Sequence, residues 1–401
     1  MKKLLFCIPL IVALAACGGK TNQTDKESFL SLIDSALVFS EQQSLLMAKK
    51  YETQEGRLPR TYEKGKDVSS DSRWWCSGFF PGVLWYLYEN DKKNEEVLKY
   101  ARLYTDRVER EKYTTDNHDV GFMLYCSFGN GLRLTGDEHY KEVLLTGAKS
   151  LASRYKDNVG LIRSWDWNKD KWQYPVIIDN IMNLELLLWA ADNSDDPKFR
   201  EISLSHADKT MENHFRPDFS SYHVVSYDTI SGKPHLKQTH QGYADESSWS
   251  RGQAWGLYGY SYLYRETKDV KYLEQAKNIA NFLINHPNMP KDYIPYWDYD
   301  TPEIPNTPRD ASAACIMASA LVELSDFVDA DLSKKYMEIV ETQIRTLASP
   351  EYTATLGENG CFILKHSTGG YPFNSEVDVP MTYADYYYLE ALTRLKRKYN
   401  K

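Results

Sequence analysis

Asp179 lies in the segment YPVIIDNIMNLELLLWA, from Tyr174 to Ala190, where nearly every other residue is apolar. A carboxylate in such a segment is costly to bury unless something neutralises or uses it. Asn183 follows one helical turn later on the same face, so its amide is placed to hold the Asp179 carboxylate. A second acid, Asp119, occupies the same stage of an earlier apolar segment, in NHDVGF. If both segments are inner helices running in parallel, their N-terminal ends bring the two carboxylates into one pocket. Such a pair suits glycoside chemistry, in which one acid gives a proton while the other orients water or stabilises positive charge. Helix N-termini favour the ionised form. Burial and a second carboxylate raise one of the two pKa values, which keeps one aspartic acid protonated near neutral pH. For Asp119 a helix-capping role is the open alternative. It is weaker for Asp179, because Pro175, Val176, Ile177 and Ile178 precede it and read as already helical or buried.

A third cluster, THQGYADESSWSRGQAWGLYGY, starts at Thr239. Arg251 can clamp a carboxylate in bidentate fashion, or pair structurally with Asp245 or Glu246. Thr239 and Gln241 can hydrogen-bond hydroxyls. Trp249 and Trp255 can stack on a sugar ring, although Trp255 also reads as core. Trp74 and Trp75 precede another apolar helix, His223 lies in SYHVVSYD, and His366 and Ser367 open a late Gly-rich loop. A lone histidine is more often a loop or core residue than a catalyst. The chain contains no GxSxG, HExxH, Walker or Rossmann motif. Cys76, Cys126, Cys315 and Cys361 show no metal-ligand spacing and read as buried thiols, so no metal site is expected.

These residues need a scaffold, and the hydrophobic pattern describes one. Apolar residues recur with helical spacing in segment after segment, and strand signals are sparse. Greasy helices alternate with amphipathic, Lys/Glu-rich ones, as in GFFPGVLWYLYENDKKNEEVLKYAR. With helices near 28–50 and 380–397 the pattern makes about six hairpins. Closed into a ring, they form an all-α (α/α)6 barrel, with greasy helices inside and amphipathic ones outside. An open helical solenoid is the alternative. The long irregular stretches 55–77, 155–175, 215–250, 285–310 and 350–380 all precede inner helices, so they gather at one end, where a site is expected. No linker divides residues 28–401, which read as a single domain.

The 401 residues carry a net charge of −8, which argues against a nucleic-acid partner. Thirty tyrosines and ten tryptophans suit sugar stacking or inter-helix packing equally. At the N-terminus, MKKLLFCIPLIVALAAC has a basic start and a short apolar run ending in LAAC, which resembles a bacterial lipoprotein signal. Residues 1–16 are then a signal peptide, Cys17 the lipidated residue and 17–27 a flexible tether. The expected location is the periplasm or cell surface, with the membrane engaged only through the lipid.

The motifs RWWCSGFFPGVLWYLYE, HDVGFMLYCSFGNGLRLTGD, GLIRSWDW, YPVIIDNIMNLELLLWA, HQGYADESSWSRGQAWGLYGY and DVPMTYADYYYLEAL resemble glycoside hydrolase family 88, the unsaturated glucuronyl hydrolases. The resemblance spans the chain from about residue 28 and implies the (α/α)6 barrel. It implies hydrolysis of oligosaccharides left by polysaccharide lyases, which carry a 4,5-unsaturated uronic acid at the non-reducing end. It makes Asp179 the general acid/base that protonates C4 and activates water. Asp119 is its partner carboxylate. Gln241, Arg251, Trp249 and Trp255 match subsite residues, and His223 and Trp75 match more loosely. No cofactor is implied. The ending HSTGGYPFNSEVDVP resembles heparan-type members, so the 366–378 loop, with His366 and Ser367, is expected to meet the next sugar or its sulfate. Chondroitin and hyaluronan products are the other glycosaminoglycan candidates. An inverting glycosidase acting on saturated sugars, and a lipoprotein that binds glycans without catalysis, are the rival readings.

Overall fold

The computed structural model describes residues 18–400. The expected leader (1–16) and Cys17 lie outside these residues. Six helices form an inner ring: α2 (Phe79–Asn90), the broken helix α4–α5 (Val120–Leu124 and Asn130–Thr135), α7 (Asn180–Asp192), α9 (Ser250–Thr267), α11 (Ala311–Leu324) and α13 (Thr382–Tyr399). Each packs on the next, and α13 packs back on α2, so the ring closes and the open solenoid is excluded. Around it stand α1 (Gly18–Tyr51), α3 (Glu95–Asp106), α6 (Glu138–Ala152), α8 (Lys198–His214), α10 (Val270–Asn285) and α12 (Ala330–Leu347), each against an inner neighbour. The architecture is the (α/α)6 barrel.

Composition explains the two rings. In α11, ASAACIMASALVEL, every residue except Glu323 is buried, and its small side chains let neighbouring inner helices approach. In α12 only the stripe Tyr336, Ile339, Val340, Gln343, Ile344 and Leu347 is buried, the pattern of a helix with one wet face. Short turns join inner to outer helices. The long connections all precede inner helices and cover one end of the barrel.

Those connections hold more strand than the sequence suggested. Three small antiparallel sheets form: β1 (Leu58–Glu63) with β2 (Lys66–Ser70), β3 (Tyr155–Lys156) with β4 (Leu161–Ile162), and β5 (Pro175–Ile177) with β6 (Val224–Tyr227) and β7 (Pro234–Gln238). The β5 strand corrects the reading of Pro175–Ile178 as helical. A short apolar run is compatible with either state, and here Val176 and Ile177 pair with Val225 and Val224. Helix α1 also begins earlier than expected, at Gly18, so the stretch expected as a flexible tether continues the helix. Extending an existing helix requires no new nucleus, which offsets the low helix propensity of Gly18, Gly19, Thr21 and Asn22.

Candidate active site

At the loop-covered end lies a cavity of about 460 Å³. Asp119 and Asp179 both line it. Each occupies the N-cap position of its helix, α4 and α7, yet neither side chain makes a capping hydrogen bond. The capping alternative for Asp119 therefore fails. By contrast, Asn94, Asp137, Asp269 and Asp329 cap the outer helices α3, α6, α10 and α12 with their side chains. The two site aspartates are aimed at the cavity instead.

Both carboxyls are largely buried, and this raises their proton affinity. Asp119 is raised from 3.8 to about 8, first by desolvation and then by the charge of Asp179. Asp179 is raised to about 7 by desolvation; the Arg251 charge, a backbone hydrogen bond and the Trp255 indole oppose the rise. Two coupled groups of this kind retain a proton between them near neutral pH. The Asp179 Oδ2 and the Trp255 Nε1 each lack a hydrogen-bond partner, and the Trp255 indole lies near enough to Asp179 to oppose the rise.

A buried histidine accompanies each acid. His118 Nε2 lies 3.4 Å from Asp119 Oδ1, and His223 Nε2 lies 3.8 Å from Asp179 Oδ2. Burial lowers His118 to about 3 and His223 well below its usual range, so both are neutral. His223 Nδ1 accepts the backbone N–H groups of His240 and Gln241, each at 3.0 Å. Its proton therefore sits on Nε2, directed at Asp179. His223 does reach the site, as a neutral donor beside the acid.

Asn183 is fully buried, but it does not hold Asp179. Its Oδ1 accepts the Phe122 N–H at 2.8 Å, and so ties α7 to the first turn of α4. Gly121 permits this contact. A Cβ there would lie 2.6 Å from the Asn183 Cα and 2.7 Å from its Oδ1. The Asn183–Gly121 contact thus fixes the approach of the two helices that carry the acids.

Arg251 lines the cavity and is almost fully buried. Its partner is neither Asp245 nor Glu246 but Asp310, at 2.8 Å, and it also donates to the carbonyls of Thr368 (2.6 Å) and Gly369 (2.7 Å). Asp245 instead accepts the Thr239 N–H, and Glu246 pairs with Arg216. Gln241 lines the cavity and donates to the Gly369 carbonyl at 3.1 Å.

The other expected binding residues divide clearly. Trp75 lines the cavity. Trp249 and Trp255 do not offer it a ring face. Trp249 packs between His223 and Arg251, with 4.6 Å to each, and Trp255 packs on Phe122 and Tyr387. Thr239 closes a local turn by accepting the Gly242 N–H. His366 pairs with Asp378 at 2.7 Å, and Ser367 is fully buried in a backbone bridge to Val379. The loop enters the cavity further on, through Gly369, Gly370, Phe373, Ser375 and Glu376.

Several lining residues escaped the sequence reading. Trp165 and Trp167 stack on each other at 4.5 Å, and His240 packs beside both. The motif GLIRSWDW contained the signal, in two tryptophans set two residues apart in a long loop. His118 was visible only as the neighbour of Asp119. Arg60, Glu376 and Tyr383 carried no local signal at all.

A second cavity, of about 470 Å³, lies further along the inner ring. Its charged groups satisfy each other: Arg394 bonds Glu323 and the Tyr258 hydroxyl, while Glu390 accepts from Tyr86, Tyr258 and Ser319. In the first cavity, by contrast, the buried Asp179 Oδ2 has no hydrogen-bond partner among the described residues.

Residues 50–398 match the model of Glycosyl Hydrolase Family 88. The chain belongs to this family. It is a glycoside hydrolase, as the paired carboxylates suggested. An unsaturated glucuronyl hydrolase of Formosa agariphila is 43% identical and aligns over 100% of this chain and 99% of its own. An unsaturated chondroitin disaccharide hydrolase of Streptococcus agalactiae is 32% identical over 86% of each chain. Among solved structures, an unsaturated glucuronyl hydrolase specific for heparin superposes with a TM-score of 0.89 at 48% identity, covering 92% of this family 88 chain and 98% of its own.

Proposed function

We propose that this enzyme removes the 4,5-unsaturated uronic acid from the non-reducing end of lyase-generated glycosaminoglycan oligosaccharides. The observation that carries the reading is the pair of uncapped, proton-retaining aspartates at converging helix N-termini, facing an aromatic cavity. Related proteins named for this activity support it. A structure of a Streptococcus agalactiae relative holds an unsaturated glucuronate joined to a 6-sulfated N-acetylgalactosamine.

In this reading Asp179 protonates C4 of the double bond, and positive charge develops at C5 and the ring oxygen. The Asp119 carboxyl lies beside the same cavity, and the positive ends of the two helix dipoles favour the Asp179 anion left by the proton transfer. Water adds at C5 and loses its proton to the Asp179 carboxylate, which restores the acid. The resulting hemiketal opens to a C5 ketone. C1 then holds both a hydroxyl and the aglycone oxygen, and it collapses to an aldehyde as the aglycone leaves. The neutral His223 Nε2–H steadies the Asp179 anion between the two proton transfers. Trp75 and the Trp165–Trp167 stack offer flat faces to the planar ring.

The test is the ultraviolet absorbance of the conjugated double bond. Wild-type enzyme is expected to abolish it, and Asp179→Asn to leave it intact while the fold persists. Equal cleavage of saturated disaccharides would instead favour direct glycoside displacement.

Heparin- or heparan-type disaccharides are the proposed substrates, supported by likeness to the heparin-specific structure. The double bond requires a polysaccharide lyase upstream, because β-elimination is what creates it. The LAAC sequence at Cys17 supports a lipid-anchored periplasmic or surface location, and labelling with a fatty-acid analogue that disappears in Cys17→Ala tests it.

A further inference from the structure

Two loops meet across the cavity. Arg60, on β1, and Glu376, in the 366–378 loop, both line it, and Arg60 Nε donates to Glu376 Oε1 at 2.5 Å. The Arg60 guanidinium also lies over Trp74, 3.8 Å from the ring centroid. Both side chains are largely shielded, at 23% and 15% exposure, so the pair is less screened than an ordinary surface bridge.

The loop is shaped to present Glu376. Asn374, Glu376 and Asp378 all take positive φ, between 50° and 55°, a region disfavoured for residues with a side chain. Three such residues in five positions are held by the surrounding contacts. Gly369 leaves the room that Glu376 occupies: a Cβ there would stand 2.8 Å from the Glu376 Oε2. The Gly369 carbonyl is in turn held by Gln241 and Arg251.

The consequence is electrostatic. Arg60, Arg73 and Arg251 are the cationic lining residues, against Asp116, Asp119, Asp179 and Glu376. Arg251 is neutralised by Asp310, and Arg73 is paired with Asp71. Glu376 does the same to Arg60. Each lining guanidinium has a carboxylate, and Arg60 and Arg251 have theirs in shielded pairs whereas Arg73 and Asp71 are largely exposed, so a sulfate that faces the Arg60–Glu376 pair meets no uncompensated positive charge.

Building on the proposed hydrolysis of unsaturated disaccharides, we propose that the Arg60–Glu376 pair is a charge filter that selects substrates without sulfate where they face it. A sulfate near the pair would have to displace Glu376 from Arg60 or lie against a carboxylate. Such juxtaposed like charges are strongly unfavourable.

The experiment measures kcat/KM by absorbance loss for heparin-type disaccharides without sulfate, with 6-O-sulfate on the glucosamine, and with 2-O-sulfate on the uronate. Wild-type enzyme is expected to prefer the unsulfated compound. Glu376→Gln keeps the shape and removes the charge. It should raise the sulfated-to-unsulfated ratio about tenfold for the form whose sulfate faces the pair, equivalent to ~1.4 kcal/mol. The gain should shrink as salt is added. Arg60→Gln should move the same ratio the other way. A structural role alone would lower both rates and leave the ratio in place. The filter is refuted if the two variants shift the ratio in the same direction, if neither shifts it for any sulfated form, or if wild-type enzyme prefers a sulfated disaccharide. Wild-type enzyme that leaves every unsaturated disaccharide intact refutes the underlying reaction as well.

Discussion

Gly121→Ala is a one-carbon change at the contact that sets the spacing of the two acids. Its Cβ would sit 2.6 Å from the Asn183 Cα and 2.8 Å from the Asn183 Cβ, where ordinary contact begins at 3.4 Å. Backbone on both sides leaves no flexible end to swing away, so α4 and α7 must separate by about 0.8 Å. Overpacking of this kind costs about 1–3 kcal/mol. The same movement stretches the 2.8 Å bond from the Phe122 N–H to Asn183 and carries Asp119 away from Asp179. A misplacement near 1 Å can lower the rate by ~100-fold. The enzyme should therefore lose kcat by roughly 10- to 100-fold, with a melting temperature lower by a few degrees. Its KM should change little, because the cavity walls formed by Trp165, Trp167 and Tyr383 come from other elements. Steady-state kinetics on an unsaturated disaccharide, together with thermal unfolding, decide the matter. A variant with lowered melting temperature but wild-type kcat would show that this contact supports the barrel and does not set the carboxylate spacing. An unchanged melting temperature would refute the packing argument itself.

The raised carboxyls make a linked prediction about stability. The folded protein holds protons on Asp179 and Asp119 up to about pH 7 and 8, whereas unfolded aspartates release theirs near 4. Their contribution to stability is fully present below pH 4 and is lost as pH rises through 7 and 8. Asp119→Asn should thus melt above wild type at pH 8, the gap closing toward pH 4; parallel melting curves at every pH would contradict this. Asp310→Ala leaves the buried Arg251 guanidinium without its carboxylate and removes the side-chain cap of α11. A loss of ~3–5 kcal/mol is expected in urea unfolding, and a change below about 1 kcal/mol would sink the assignment.

Much of the barrel was legible in the sequence because it is written locally. Greasy and amphipathic segments alternate, and the period of each reports which faces are covered. Asp179 stood out for the same reason, as one charge in a run of aliphatic residues. Where a local pattern fits two states, as in Pro175–Ile177, the reading went astray, and pairing with β6 decided for strand.

The residues that complete the site had no such local mark. Asn183 pointed at Asp179 by spacing, yet its partner is the Phe122 N–H on the neighbouring helix, which comes within reach only because Gly121 lacks a side chain. Arg251 had two acids close in sequence, yet it pairs with Asp310, which ring closure places beside it. Arg60 and Glu376 are 316 positions apart and meet only because the first and last long connections cover the same end of the barrel. The alternation of greasy and amphipathic helices and the presence of a buried acid are properties of short stretches, and the sequence alone determined them. Which polar group answers which depends on side-chain direction across a closed ring, and only the tertiary structure decided that.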